Sequence, residues 1–277
     1  MKILVTGAGG MLSSDLVPYL ASYHDCYGAT IEDTDITNID SISKIVAAYK
    51  PQIIINCAAY TQVDKAETER CLALQVNALG VQNLSLICKE QGIILCHIST
   101  DYVFDGKKHS PYTPYDAVCP INFYGESKLA GEKFLEWISP NFYIIRTSWL
   151  YGAYGNNFVK TILRLANQRR ELSIVDSQIG SPTFTGSLSI AIKRIIESGK
   201  FGIYHVTDKT DGRLSWYGFA MEIVRLAGLS VKVLPIAQYP LPAKRPAYSV
   251  LDTTLTTMAI GVEPVEWNVQ LQQYMKI

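Results

Sequence analysis

The stretch Ile3-Leu4-Val5-Thr6-Gly7-Ala8-Gly9-Gly10 near the start of the chain decides the fold. Its β-branched run predicts a short buried strand, and its glycines predict a tight turn into a helix over 11–21. The pattern Gly7-x-x-Gly10-x-x-Ser13 is typical of dinucleotide-binding turns, where the backbone approaches a pyrophosphate at the positive end of a helix. Ser13 replaces the usual third glycine, and it is small enough for close helix–strand packing.

Apolar runs and helical patterns alternate along the rest of the chain. Strands are predicted at 3–6, 26–30, 53–56, 93–98, 142–146 and 172–175, with helices at 39–49, 67–90, 124–137 and 158–169. Strands that are apolar throughout, alternating with helices, predict an α/β fold with a doubly wound, Rossmann-like parallel sheet. We expect a dinucleotide-binding domain over 1–150, with 171–177 returning to its sheet. Residues 151–277 should form mainly a smaller C-terminal substrate-binding lobe, including a helix at 187–197 and a short strand at 202–206.

The composition limits which binding partners and which cellular compartment are expected. Lys+Arg and Asp+Glu both number 25, so no overall field favours nucleic acid or an anionic membrane. The six cysteines form no C-x-x-C pair and no metal-ligand spacing with histidine, which fits a reduced, cytoplasmic protein. The apolar run at the N-terminus is too short for a signal peptide, and no later stretch looks long and apolar enough to span a membrane.

The end of the second predicted strand bears on the choice of cofactor. Thr30-Ile31-Glu32-Asp33-Thr34-Asp35-Ile36 contains no Lys or Arg to bind a 2′-phosphate, which favours NADH. Thr30, however, carries no charge that would repel that phosphate, so NADH and NADPH both remain open. We expect Asp35 and Ile36 to flank the adenine.

Three further groups of residues suggest redox chemistry on a carbonyl. Asn56-Cys57-Ala58-Ala59-Tyr60-Thr61 places small residues after the third strand, where backbone passes close to a ligand, although plain strand-end packing explains them equally well. Ser99-Thr100-Asp101 places hydroxyl groups after the fourth strand. Tyr124 and Lys128 stand one helical turn apart, so the ammonium is expected to lower the pKa of the phenol and make it a usable acid.

Together these blocks resemble the dTDP-4-dehydrorhamnose reductases, a branch of the extended short-chain dehydrogenase/reductases. The resemblance rests on Asn56 to Glu67, Ser99 to Gly106, Tyr124 to Glu132, Arg146 to Gly152 and Gly155 to Phe158, and further on Gly180 to Thr183, Ser215 to Tyr217 and Arg245-Pro246. It covers essentially the whole chain, and it implies reduction of the C4 keto group of a dTDP-sugar by NADH or NADPH.

The resemblance also implies roles for individual residues. The implied catalytic residues are Thr100, Tyr124 and Lys128, with Tyr124 protonating the new alkoxide. The implied cofactor-binding residues are Gly7, Gly9, Gly10, Met11, Leu12, Asp35, Ile36, Ala58, Ala59, Tyr60, Thr61, Ser99, Tyr124 and Lys128. The implied substrate-binding residues are Thr100, Asp101, Val103, Trp149, Asn157 and Arg245, where a guanidinium suits a diphosphate.

Some members of the family dimerise through Mg²⁺ bound by glutamates. Asp15 stands where one such carboxylate is expected, but the helix from Ser187 has no acidic residue before Glu197. We therefore predict no metal-binding residues, keep Mg²⁺ only as an alternative, and leave monomer and homodimer open.

Two other functions stay in competition at this point. One is a non-catalytic regulatory subunit of the methionine adenosyltransferase type, which the chain also resembles. The other is a reductase or epimerase acting on another nucleotide-sugar, because pocket shape decides both the base and the sugar.

Overall fold

The computed structural model describes residues 1–276. Its strands are β1 (Lys2–Thr6), β2 (Asp25–Ala29), β3 (Ile53–Asn56), β4 (Ile94–Thr100), β5 (Phe142–Thr147), β6 (Leu150–Tyr151), β7 (Glu171–Val175), β8 (Thr183–Phe184), β9 (Gly202–His205) and β10 (Lys232–Ile236). Its helices are α1 (Met11–Ala21), α2 (Ile39–Tyr49), α3 (Val63–Ala66), α4 (Arg70–Leu74), α5 (Gly80–Gln91), α6 (Phe123–Ile138), α7 (Phe158–Ala166), α8 (Thr185–Ser198), α9 (Trp216–Leu226), α10 (Thr254–Ile260) and α11 (Trp267–Tyr274).

A six-stranded parallel sheet forms the centre of the protein, with the strand order β2-β1-β3-β4-β5-β9. Apolar residues of α1 and α8 cover one face, and those of α2, α5 and α6 cover the other. The predicted doubly wound, Rossmann-like α/β fold is therefore confirmed. Successive strands are added on one side of β1 up to β2 and on its other side from β3 onward, so the strand order reverses between β1 and β3. A ligand cleft is therefore expected at the carboxyl ends of these two strands.

The sixth strand of this sheet is not the one that the sequence indicated. The prediction that 171–177 returns to the sheet is wrong, because β7 pairs with β10 in a separate two-stranded sheet. Leu172 and Ile174 of β7 pack into the core of the C-terminal lobe, against Phe219 and Ile223 of α9. The position next to β5 is taken instead by β9, which the sequence placed in the smaller lobe. A short apolar run shows that a strand is buried but not which sheet it joins.

The helix predicted over 67–90 is also more complex. A short helix, α3, precedes it, and a π-helical turn at Gln75–Leu79 joins α4 to α5. The continuous helix Arg70–Gln91 has 22 residues and a window of mean hydropathy 1.4, long and apolar enough to span a bilayer. The expectation that no later stretch has this length and apolarity is therefore wrong. Half of that window is buried inside the fold, where the helix packs against α6 and the central sheet.

Candidate active site

The glycine turn lies at the switch point of the sheet, between β1 and the segment that follows β3. Gly7 has φ +74°, and a Cβ there would lie 2.6 Å from the backbone nitrogen of Ala58, so only glycine fits this approach. Ser13 donates a hydrogen bond to the carbonyl of Gly7 at 2.7 Å, so the serine at the third motif position ties the helix to the turn.

This turn has the features that a dinucleotide needs. Gly9 has φ +85° and no heavy atom within 4 Å of a Cβ built on it, which leaves its surface open to a ligand. No side chain caps α1 at Gly10, so the first-turn N–H groups, including those of Met11 and Leu12, are left for an anion. The residues present therefore fit the pyrophosphate of a nicotinamide cofactor.

Beyond the turn, the backbone of Ala58-Ala59-Tyr60 is held in place by buried amides. The Asn56 side chain accepts from the N–H of Ala58 at 3.1 Å, and Asn77, in the π-helical turn, accepts from that of Tyr60 at 2.8 Å. Tyr60 turns its hydroxyl away to Glu69, at 2.7 Å, while Thr61 is exposed. The small side chains thus mark a rigid segment of backbone beside the turn.

The adenine end is less open than the sequence suggested. Ile36 is 4 % exposed and packs against Gly80, while Asp35 accepts hydrogen bonds from the backbone and hydroxyl of Thr37. Asp33 accepts from the N–H of Thr30 at 2.8 Å and from its hydroxyl at 3.0 Å. A carboxylate thus occupies the end of β2, where the cofactor ribose is expected.

Tyr124 reaches Thr100 because two elements approach unusually closely. Asn122 caps α6 by accepting from the N–H of Gly125 at 2.8 Å. A Cβ on Gly125 would lie 2.2 Å from the carbonyl of Tyr102, which belongs to the helical turn directly after Thr100. Glycine at this position therefore brings the start of α6 against the end of β4. The predicted pair of hydroxyl groups is brought together in the structure.

The electrostatics of this pair differ from the prediction. Burial raises the pKa of Tyr124 to about 12, although the Thr100 hydroxyl opposes the shift. Lys128 is 2 % exposed, and its Nζ lies 2.7 Å from the carbonyl oxygen of Ile98 and 3.2 Å from Nε2 of His97. Burial lowers the pKa of Lys128 to about 8. The expected lowering of the Tyr124 pKa by Lys128 is not observed, because desolvation dominates at both groups.

Asp101 adds a second perturbed group beside Tyr124. Its Oδ1 accepts a hydrogen bond from Thr100 at 3.1 Å, and its buried Oδ2 has no partner within residues 1–276. Burial raises the pKa of Asp101 to about 7. Val103, two residues on, is fully buried in a cluster with Phe104, so its side chain supports the loop rather than facing a substrate.

Ser99 was expected to contact the cofactor, but its side chain points into the core. It donates to Glu132 at 2.5 Å, and Arg146 binds the same carboxylate through Nε at 3.0 Å and Nη2 at 2.6 Å. Glu132 and Arg146 are buried, and together they fasten α6 to β4 and β5. The role of this pair was not predicted from the sequence, where the one signal was a charged residue inside the apolar strand 142–146.

A cavity of about 640 Å³ lies in the C-terminal lobe and is bordered by Ile121, just before α6. Arg245 lines it, and its guanidinium binds Asp64 at 2.8 Å and 3.1 Å. Asn122, the cap of α6, donates to the carbonyl of Lys244 at 2.7 Å. The arginine is thus held in a fixed position next to the helix that carries Tyr124. The cavity is large enough to hold a nucleotide-sized ligand.

Two other predicted substrate residues have supporting positions in this structure. Trp149 has φ +46°, and its ring stacks on Trp216 with centroids 3.6 Å apart. Trp216 and Phe158, rather than Trp149, line the cavity; both lie in the blocks that carry the resemblance, but neither was given a role from the sequence. Asn157 caps α7 by accepting from the N–H of Lys160 at 3.0 Å and donates to the carbonyl of Gly152 at 2.9 Å, so both ends of its amide are used.

Asp15 lies on α1, where its carboxylate accepts a hydrogen bond from the hydroxyl of Thr185. Within residues 1–276 there is no group of three or more His, Cys, Asp or Glu side chains placed to hold a metal ion.

Known proteins place the chain in one family. The family described as the RmlD substrate binding domain matches residues 1–277. A dTDP-4-dehydrorhamnose reductase of Aggregatibacter actinomycetemcomitans is 43% identical, over 96% of this chain and 95% of the relative. The solved dTDP-4-dehydrorhamnose reductase of Clostridium acetobutylicum is 42% identical, with a TM-score of 0.96 over 100% of this chain and 99% of that one. That of Bacillus anthracis, solved in complex with NADP, is 40% identical, with a TM-score of 0.96 over 99% and 98% of the two chains. The chain therefore belongs to the RmlD substrate binding domain family.

Proposed function

We propose that the protein reduces the C4 keto group of dTDP-4-dehydro-L-rhamnose to give dTDP-L-rhamnose, using NADH or NADPH. One observation carries the proposal: Thr100 lies beside Tyr124, one helical turn from the buried Lys128, and Asn122 at the start of the same helix binds the segment that carries Arg245. The relatives that match along nearly their whole length bear the name of this activity. The protein is thus an NAD(P)-dependent oxidoreductase.

The Tyr124 hydroxyl would donate to the carbonyl oxygen of the substrate, and Thr100 would join it by turning its proton from Oδ1 of Asp101 to that oxygen. The bound nicotinamide supplies the hydride, and the protein supplies position and a proton. Because burial holds the pKa of Tyr124 near 12, the phenol keeps its proton at neutral pH and is in the form needed to protonate an alkoxide. Gly125 has a direct part in this geometry, since it permits the contact between α6 and the turn after Thr100.

The cavity supplies groups for the nucleotide part of the substrate. Arg245 offers a guanidinium whose orientation is fixed by Asp64, which suits the diphosphate. Trp216 and Phe158 present aromatic surface on which a thymine ring would stack. Trp149 contributes by supporting Trp216 from behind.

The cofactor and the compartment follow from the same features. The glycine turn would suit either nicotinamide dinucleotide, since the pyrophosphate that it would bind is common to both. All six cysteines are unpaired, which fits the reducing cytoplasm where these cofactors are kept reduced. The small-molecule partner is a dTDP-sugar, and we expect neither nucleic acid nor membrane as a partner.

A substrate panel tests this proposal. Purified protein is incubated with NADH or NADPH and with a set of nucleotide-4-keto-sugars that differ in base and sugar configuration. We expect cofactor oxidation that depends on dTDP-4-dehydro-L-rhamnose and is fastest with it. Faster reduction of another sugar would reassign the substrate, and no reduction of any keto sugar would refute the reductase.

A further inference from the structure

A buried chain of hydrogen bonds runs from the central sheet to Lys128. Thr6 donates to Oδ1 of Asn56 at 2.7 Å, and Nδ2 of Asn56 lies 3.1 Å from Nδ1 of His97. Nε2 of His97 in turn lies 3.2 Å from Nζ of Lys128. Thr6, Asn56 and His97 are fully buried, so their polar atoms must be satisfied by one another.

The orientation of the Asn56 amide determines which nitrogen of His97 carries the proton. The N–H of Ala58 can only donate, and it lies 3.1 Å from Oδ1 of Asn56, which fixes that atom as the oxygen. The NH₂ end therefore faces His97, and because it can only donate, Nδ1 must accept. A neutral imidazole then carries its proton on Nε2, the nitrogen that faces Lys128.

This tautomer restricts the charge state of Lys128. An ammonium has no lone pair and cannot accept a hydrogen bond from the Nε2–H of His97. A neutral amine can accept it, and can still donate to the carbonyl of Ile98 at 2.7 Å. We propose that Asn56 and His97, through this tautomer, disfavour the ammonium form of Lys128 in the free protein, with His97 as a positioning residue.

The other groups around Lys128 are compatible with this state. Glu132, one turn further along α6, favours the ammonium, but its carboxylate is already bound by Arg146. Cys57 is neutral because burial raises the pKa of its thiol to about 12. Burial also lowers the pKa of His97 well below its ordinary value, so the ring stays neutral.

The consequence for catalysis rests on the function proposed above. When Tyr124 loses its proton to the substrate, the phenolate that remains raises the proton affinity of Lys128, which then takes up one proton from solvent water. The new ammonium can no longer accept from His97, so it is freed to turn toward the anion. His97 thereby couples the charge of Lys128 to the state of Tyr124.

Nitrogen NMR of the full chain without cofactor tests the proposal directly. In protein labelled with ¹⁵N-histidine, we expect His97 as the Nε2–H tautomer, without titration between about pH 6 and 9. His205 is an internal control, because its Nδ1 lies 2.9 Å from the carbonyl oxygen of Tyr112 and must carry the proton. The two rings should therefore show opposite tautomers in one spectrum. A His97 proton on Nδ1, or a doubly protonated ring, would overturn the proposal.

The variant Asn56→Asp tests whether the tautomer of His97 controls the proton affinity of Lys128. A carboxylate oxygen would face Nδ1 and draw the proton there, so Nε2 would become an acceptor for an ammonium. We expect the His97 tautomer to change while that of His205 does not, and the proton affinity of Lys128, followed by its ¹⁵Nζ signal, to rise about tenfold or more. Unchanged titration of Lys128 would contradict the coupling. The variant His97→Gln is a second test. The glutamine amide oxygen can accept a hydrogen bond from the Lys128 ammonium, so this variant should also raise the proton affinity of Lys128.

Discussion

Replacing Asp101 by asparagine should stabilise the protein at alkaline pH and leave its stability near pH 4 unchanged. Burial raises the pKa of this carboxyl from 3.8 to about 7, whereas in the unfolded chain it keeps its ordinary value. Below about pH 4 the carboxyl is protonated in both states and contributes nothing. Between about pH 4 and 7 only the unfolded chain gives up the proton, so stability falls, and above pH 7 the penalty is constant.

The size of the effect follows from the shift. A difference of about three pKa units corresponds to about 4 kcal/mol above pH 7, at about 1.4 kcal/mol per unit. An asparagine amide leaves one buried polar atom without a partner at the position of Oδ2, as the protonated carboxyl does, so this cost is common to both side chains and cancels. The expected gain for Asp101→Asn is therefore up to about 4 kcal/mol at pH 8.

Urea unfolding of the variant and the wild type at about pH 4 and pH 8 measures this difference. Asp208→Asn is a matched control, since burial also raises the pKa of Asp208 to about 7, at a position lining a different cavity. Both variants should gain stability at pH 8. Only Asp101→Asn should shift the alkaline fall of the pH–activity profile, because the charge of Asp101 raises the pKa of Tyr124. Without that charge the fall should occur at lower pH. An equal stability change at both pH values would refute the reasoning.

Three further predictions follow from the site. Gly125→Ala places a Cβ 2.2 Å from the carbonyl of Tyr102 and should lower kcat about 100-fold with little effect on cofactor affinity, measured by steady-state kinetics and cofactor fluorescence titration; equal kcat would show that this contact does not position the tyrosine. Arg245→Met should raise the KM for the dTDP-sugar about tenfold or more. Asp64→Asn keeps the guanidinium but weakens the ion pair that holds it, so this variant should raise KM less. A larger effect of Asp64→Asn would place the carboxylate itself in the site. Asp33→Asn removes a charge at the end of β2 and should raise the kcat/KM ratio of NADPH to NADH about 2–5-fold, and an unchanged ratio would exclude Asp33 from cofactor choice.

The sequence predicted the parts of the fold that depend on local pattern. Gly7 and Gly10 marked the turn, and the apolar runs marked the strands, because burial on both faces leaves a continuous apolar signature. The partner of a strand is a tertiary property, which explains the error over 171–177: β7 has the composition of a central strand, but it packs on α9 instead.

The site shows the same contrast between local patterns, which the sequence reveals, and contacts between distant segments, which it does not. Thr100, Tyr124 and Lys128 could be proposed from the sequence because their spacing follows from strand ends and helical turns. His97, Asn56 and Glu132 were missed because each acts through contacts between elements far apart in the chain. The pKa of Tyr124 was predicted in the wrong direction, since helical spacing reveals a neighbouring charge but not the burial that outweighs it. Trp149 and Asn157 stand in the expected segments, but only the structure shows that their side chains support the cavity rather than line it.

The most direct test of the central claim is to follow the transferred hydrogen. NADH or NADPH carrying deuterium on the transferred face is reacted with dTDP-4-dehydro-L-rhamnose, and the product is analysed by NMR. We predict deuterium at C4 of dTDP-L-rhamnose with the wild type, and no turnover by Tyr124→Phe although that variant still binds the cofactor. A product without deuterium at C4, or a Tyr124→Phe variant that turns over at close to the wild-type rate, would contradict the assignment of Tyr124 and the cleft around it as a C4 reductase site.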